Sequence, residues 1–189
     1  MKADITYARM DSPVGPLWVA TTEMGICAVG LGIGQPEAFF AWLARHIAPE
    51  PPREDAETLA LALAQLREYF SRIRRAFDLP LDVRGTAFQK AVWAEVARIP
   101  YGTTTTYSKI AQRIGRPGAA RAVGAAVGAN PLPILIPCHR VIGVGGSLTG
   151  YGGGLEVKAA LLRLEGTLQR TPPHRGLGDA ERHEIDFRA

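Results

Sequence analysis

One cysteine in this chain stands beside two residues that can carry positive charge, in the segment Pro137-Cys138-His139-Arg140. The thiolate, not the thiol, is the nucleophilic form of cysteine, and neighbouring cations favour it. The segment therefore predicts chemistry on sulfur. An apolar run, Asn130-Pro-Leu-Pro-Ile-Leu-Ile136, leads into it, and a glycine-dense loop over 143–154 follows. In an extended chain successive side chains point to opposite faces. Cys138 and His139 can thus work together only across a local turn or through a water molecule. The other cysteine, Cys27, lies in an apolar strand-like run and reads as a packed small hydrophobe. Two cysteines so far apart supply neither a disulfide framework nor a zinc spacing.

The elements that must position Cys138 can be read from period and punctuation. Helices are expected at Thr86–Ile99, with Thr86 as N-cap and Phe88, Val92, Val96 and Ile99 on one face, and at Thr106–Ile114. Ala119–Ala129 is a third helix built of Ala, Val and Gly around a single arginine, Arg121. The second and third, joined by Gly115-Arg-Pro-Gly118, have the form of a helix-turn-helix. Small side chains on the later helix let another backbone approach closely, and Arg121 stands alone on that smooth surface. The glycine loop lacks the Gly-Lys-Ser/Thr ending of a phosphate loop and reads as a hinge or substrate cover, with Tyr151 as a wall. Leu155–Leu164 is a last helix, stopped at Gly166.

The first 80 residues carry no chemical motif. Strands are expected at 5–10, 17–21 and 25–31, and helices at 36–47 and 58–73. In the longer helix Leu59, Leu63, Leu66, Phe70 and Ile73 share a side. The Pro-rich stretch 49–55 reads as a loop and Phe77–Leu81 as one more strand. The division expected is 1–80, 84–169 and a polar tail, 170–189.

The formal charge of +4 is uneven. Residues 1–80 hold 8 Lys/Arg and 10 Asp/Glu, residues 81–169 hold 10 and 4, so the basic excess accompanies Cys138 and suits a polyanion such as nucleic acid. No apolar run reaches membrane-spanning length, and the polar start lacks a signal-peptide core. A cytoplasmic location is the default expectation.

Residues 84–166 closely resemble the O6-alkylguanine-DNA alkyltransferases, the methylated-DNA–protein-cysteine methyltransferases. The matching pieces are Gly85-Thr-Ala-Phe-Gln89, Val92-Trp93, Ile99-Pro-Tyr-Gly-Thr-Thr-Thr-Tyr107, Arg121-Ala-Val-Gly124, Asn130–Ile142 and Ser147–Lys158. The resemblance implies an α+β fold: a small N-terminal α/β domain with an antiparallel sheet, then a mainly helical domain whose helix-turn-helix enters the DNA minor groove. It implies a DNA repair protein that moves the alkyl group of O6-alkylguanine, with O4-alkylthymine as a further candidate, onto Cys138. His139 would be the base, acting through water, Glu165 would orient His139, and Asn130 would support the turn. Tyr107 would rotate the nucleotide and Arg121 would fill the gap left by the flipped base. Backbone groups at Cys138, Val141 and Gly152, with Tyr151, would line the guanine pocket, and Lys158 would sit close by. The partner is double-stranded DNA containing O6-alkylguanine, met by a monomer able to assemble cooperatively. No cofactor and no membrane are implied. Relatives with a structural zinc hold it in the N-terminal domain, where Cys27 and His46 are too few, so no metal is expected. Some relatives have serine where this chain has Gly152, which suggests a roomier pocket. A thioether is not cleaved by water at useful rates, so the protein would act once. Two rival readings are a cysteine hydrolase, with a labile adduct, and a lesion binder that transfers nothing.

Overall fold

A computed structural model describes residues 4–31 and 36–168 of the chain. The tail expected over 170–189 lies outside the described residues. The fold is α+β. It opens with strands β1 (Thr6–Met10), β2 (Leu17–Thr22) and β3 (Gly25–Leu31), helix α1 (Pro36–His46), the two-residue strand β4 (Arg53–Glu54) and helix α2 (Ala60–Phe70). The sheet order is β3-β2-β1-β4, antiparallel except for the β1–β4 pair.

Side-chain alternation gives this sheet two apolar faces. Ala8, Met10, Leu17, Val19, Ile26 and Val29 join the main core. Ile5, Ala20, Cys27 and Ala28 point the other way, onto Leu43 of α1. A register shift between Ala20 and Thr21 lets both Cys27 and Ala28 face α1. Cys27 is buried there, and burial together with the Asp82 charge pushes its thiol up to about 12 against the opposing pull of Arg84. That is the inert residue expected.

Two N-terminal expectations are corrected. Phe77–Leu81 is not a strand. It makes a single bridge, Ile26 to Leu81, with Ile26 N–H donating to Pro80 O and Asp82 N–H to Ile26 O. Gly25, at φ +126°, makes this close approach feasible, since a Cβ there would lie 2.3 Å from Pro80 O. The stretch 49–55 does not stay a loop, because Arg53 and Glu54 pair with Thr6 and Tyr7. Helix α2 is also shorter than its periodicity suggests. Arg72 turns left-handed at φ 62° and Ile73 is 77% exposed.

The second half contains α3 (Ala87–Ala97), β5 (Thr105–Thr106), α4 (Tyr107–Arg113), α5 (Ala120–Gly128), β6 (Val141–Ile142) and α6 (Leu155–Leu164). Thr86 and Gln89 form a reciprocal capping box at the start of α3. Thr106 caps α4 through Lys109 N–H. Helices α4 and α5 form the helix-turn-helix, with Gly115 at φ +72° in the turn. Val123, Ala126 and Val127 bury the inner face of α5, and Trp93 Nε1–H locks α3 to it by donating to Ala126 O at 2.7 Å. The parallel pair β5–β6 brings the start of α4 beside the segment that follows Cys138. The main core runs without interruption from β1 through α2 to Cys138 and α6. Among the described residues no helix is long and apolar enough to cross a membrane.

Candidate active site

The cysteine is presented by a turn that Asn130 closes. Its Nδ2–H donates to Ile136 O at 2.8 Å, and its Oδ1 accepts from Leu132 N–H at 3.0 Å. Between them Ile134 is fully buried with φ 74°. A β-branched residue in the left-handed region is strained, and only surrounding packing holds it there. Cys138–Arg140 then form one 3-10 turn, with Cys138 N–H donating to Ile136 O at 2.7 Å. This is the local turn that the adjacency of Cys138 and His139 requires.

Behind the turn lies the Glu165 carboxylate, at the C-terminal end of α6. Its Oε1 is 2.9 Å from His139 Nε2 and accepts from Tyr69 Oη–H at 2.7 Å and Arg140 Nη2–H at 2.8 Å. Its Oε2 accepts from Arg140 Nε–H at 2.8 Å and Gly102 N–H at 3.2 Å. Burial alone would raise this carboxyl. The hydrogen bonds and charges of His139 and Arg140 outweigh it and hold the group at about 2. An ionised carboxylate only accepts, so His139 Nε2 carries the hydrogen and Nδ1 the lone pair. Nδ1 is buried and has no hydrogen-bond partner in the protein. Burial lowers the histidine's proton affinity while Glu165 raises it, and burial prevails. His139 is therefore a neutral imidazole with its basic nitrogen unengaged.

These facts correct one reading of the sequence. Arg140 does not face the thiol as an activating cation, since its guanidinium is bound to Glu165 and to Ile99 O. His139 is not charged either. Burial pushes the Cys138 thiol up, and Asn130, Lys158 and the local backbone only partly offset that. The resting sulfur is a thiol, and a base must take its proton.

Cys138 is 5% exposed and opens onto a cavity of about 190 Å³. Asn130, Gly128, Tyr151 and Gly152 line it, together with Val29 and Leu31 from β3. The Tyr151 hydroxyl is buried beside Cys138, and that burial keeps it protonated. Gly152 leaves space: a Cβ there would meet only Gly128 O, at 4.0 Å, whereas one on Gly153 would lie 2.7 Å from Leu31 Cδ1. Lys158 is fully buried, and its Nζ donates to Val141 O at 2.6 Å and Thr149 O at 2.8 Å. Burial pulls this lysine down to about 8, against the attraction of Cys138. Val141 is fully buried and is not among the residues lining the cavity; its N–H is spent on Cys138 O. Tyr107 donates to Thr149 O at 3.1 Å and lies with Arg121 on an adjoining groove formed by α4, α5 and the glycine loop. Arg121 is exposed there.

The turn thus brings together Cys138, His139, Glu165, Asn130, Lys158, Tyr151 and Gly152, with Tyr107 and Arg121 about the outer groove. Tyr69 and the carboxylate-binding role of Arg140 were not foreseen. A signal for Tyr69 was present, because it continues the buried stripe of Leu59, Leu63 and Leu66, and a buried tyrosine hydroxyl needs a partner. Among the described residues no group of three or more His, Cys, Asp or Glu could hold a metal ion.

Comparison with known proteins places this geometry. Family models match at residues 5–83, the 6-O-methylguanine DNA methyltransferase ribonuclease-like domain, and at residues 87–167, the DNA binding domain of the same family. The chain belongs to the 6-O-methylguanine DNA methyltransferase family. Within it, the chain is 47% identical over 161 residues to a methylated-DNA–protein-cysteine methyltransferase of Mycobacterium tuberculosis, covering 85% of this chain and 92% of that protein. It is 45% identical over 148 residues to the inducible methyltransferase of Bacillus subtilis, covering 78% and 83%. The crystal structure of Mycobacterium tuberculosis OGT in complex with DNA superimposes with a TM-score of 0.74 at 43% identity, over 85% of this chain and 92% of that one.

Proposed function

We propose that this protein repairs DNA by direct reversal, moving the alkyl group of O6-alkylguanine in duplex DNA onto its own Cys138 once and irreversibly. The observation that carries the reading is a cysteine on a cavity, backed by a neutral histidine whose orientation a buried carboxylate fixes, in a chain of this family. Helix α5 presents small side chains to the minor groove, with α4 beside it. Arg121 takes the place of the extruded nucleotide, offsetting part of the few kcal/mol that flipping costs. The guanine enters the cavity between Tyr151, Gly152 and Asn130, with Tyr107 at its mouth.

His139 Nδ1 takes the thiol proton through a water molecule, and Glu165 stabilises the imidazolium so formed. Lys158 and the Asn130 amide favour the thiolate. Sulfur attacks the alkyl carbon; the S–C bond forms as the C–O6 bond breaks, and that electron pair returns to the guanine. A proton then passes to the guanine, so thiol and O6-alkylguanine become thioether and guanine, with no cofactor consumed. A carbon–sulfur single bond offers water no acyl centre, and the protein remains alkylated.

The test is transfer of label. The protein is incubated with duplex DNA bearing labelled methyl on guanine O6, then digested. Label should appear, stable, on the peptide containing Cys138, and should vanish in Cys138→Ala. A labile adduct with turnover would make it a cysteine hydrolase, and binding without label would make it a lesion binder.

A further inference from the structure

We propose that Tyr69, on helix α2, is a positioning residue for alkyl transfer, acting through Glu165 on the orientation and proton affinity of His139. The proposal rests on the alkyl-transfer reading above. Tyr69 is fully buried, and its hydroxyl donates at 2.7 Å to Glu165 Oε1, the oxygen that His139 Nε2 also contacts. Its ring is held by Phe70, Phe77 and Tyr101, at centroid distances of 5.3, 5.5 and 6.2 Å. A phenylalanine would fill that space as well, so the oxygen is what the packing does not require. A buried hydroxyl must be bonded, and this one is spent on the carboxylate that orients the base.

The consequence has a sign. Oε1 divides its charge among Tyr69, His139 and Arg140. Removing the tyrosine donor leaves more of that charge to His139 Nε2–H, which favours the imidazolium. His139 would then hold its proton to a higher pH and be a base over a narrower range. The other titratable or charged groups facing this pair are Cys138 and Arg140 on the same turn, Lys158 on α6, Tyr101 after α3 and Tyr151 in the glycine loop. Arg75 lies over the outer side of Tyr101. Lys158 titrates at about 8, so the acid side of the pH profile reports on His139 without it.

The experiment uses the full chain and single-turnover transfer from duplex DNA containing O6-methylguanine, measured from pH 5 to 9. Tyr69→Phe should slow transfer about tenfold at neutral pH, because the base loses its fixed direction. Its acid limb should move up by about half a pH unit. Incorporating 3-fluorotyrosine at position 69, a stronger donor of nearly the same shape, should move the limb down, and this test survives if Tyr69→Phe does not fold. Should the variants keep the wild-type limb while only melting temperature falls, Tyr69 is structural and the proposal is overturned. Failure of the wild-type protein to form any stable adduct at Cys138 would instead overturn the transfer reading, and the proposal with it.

Discussion

Behind Cys138 the chain is buried and crowded with partners, whereas in front of it helix α5 presents small side chains to an open groove. The Glu165 carboxylate behind takes five donors from four residues, Tyr69, Gly102, His139 and Arg140, drawn from both halves of the sequence. The outer face of α5 offers Arg121, Ala122 and Ala125 to solvent, and the glycine loop closes the groove. A rigid rear suits chemistry that must be ready before substrate arrives, since orientation fixed in advance is not lost in the transition state. A smooth front suits a surface that must lie against a nucleic-acid backbone and admit one base. The two regions should therefore fail differently.

The sharpest break is expected at the rear. Glu165→Gln should slow transfer about 10²-fold or more, since it weakens the base and its orientation. It also leaves the Arg140 guanidinium buried without its counter-charge, which should cost about 3–5 kcal/mol in a urea titration. At the front, Arg121→Ala should reduce the rate on duplex DNA about tenfold, the share of flipping energy one side chain can return. The same variant should react with a free O6-alkylguanine base at the wild-type rate, and a matching loss there would erase the distinction between the regions. Gly152→Ser should change transfer of methyl less than about twofold, because its Cβ enters open space. A larger drop would show that the front is as closely fitted as the rear.

The pH dependence of stability also belongs to the rear. The Glu165 carboxyl stands at about 2 in the fold against 4.5 ordinarily, so its stabilisation is full above 4.5 and is lost as pH falls towards 2. His139 is held below its ordinary 6.5, so below that pH the unfolded chain takes up a proton the folded chain refuses. Both act in one direction. Urea midpoints should fall steadily from pH 7 to pH 3, and the fall should be shallower in Glu165→Gln. A flat profile would mean that neither group is buried as described.

Local patterns carried much of this into the sequence. The N-cap at Thr86, the small-residue helix around Arg121 and the Gly166 stop each mark an element boundary that the fold keeps to within a residue or two. Pro137-Cys138-His139-Arg140 marks the sulfur proposed to accept the alkyl group. What the order of residues could not show is which cation faces which acid. Arg140 lies two positions after Cys138 in sequence but serves Glu165 in space, while Lys158, on a different helix, is the cation near the thiol. Phe77–Leu81 has strand composition but makes only one bridge. Tyr69 reaches Glu165 from the other half of the chain, a contact that no local period encodes.

The central claim is that the sulfur at position 138 is consumed by its own product, and stoichiometry tests it most directly. With methylated duplex DNA in large excess, intact-protein mass spectrometry should show each chain gaining one methyl group and then no further conversion of substrate, however long the incubation. Continued loss of O6-methylguanine while the protein mass stays unchanged would contradict the account.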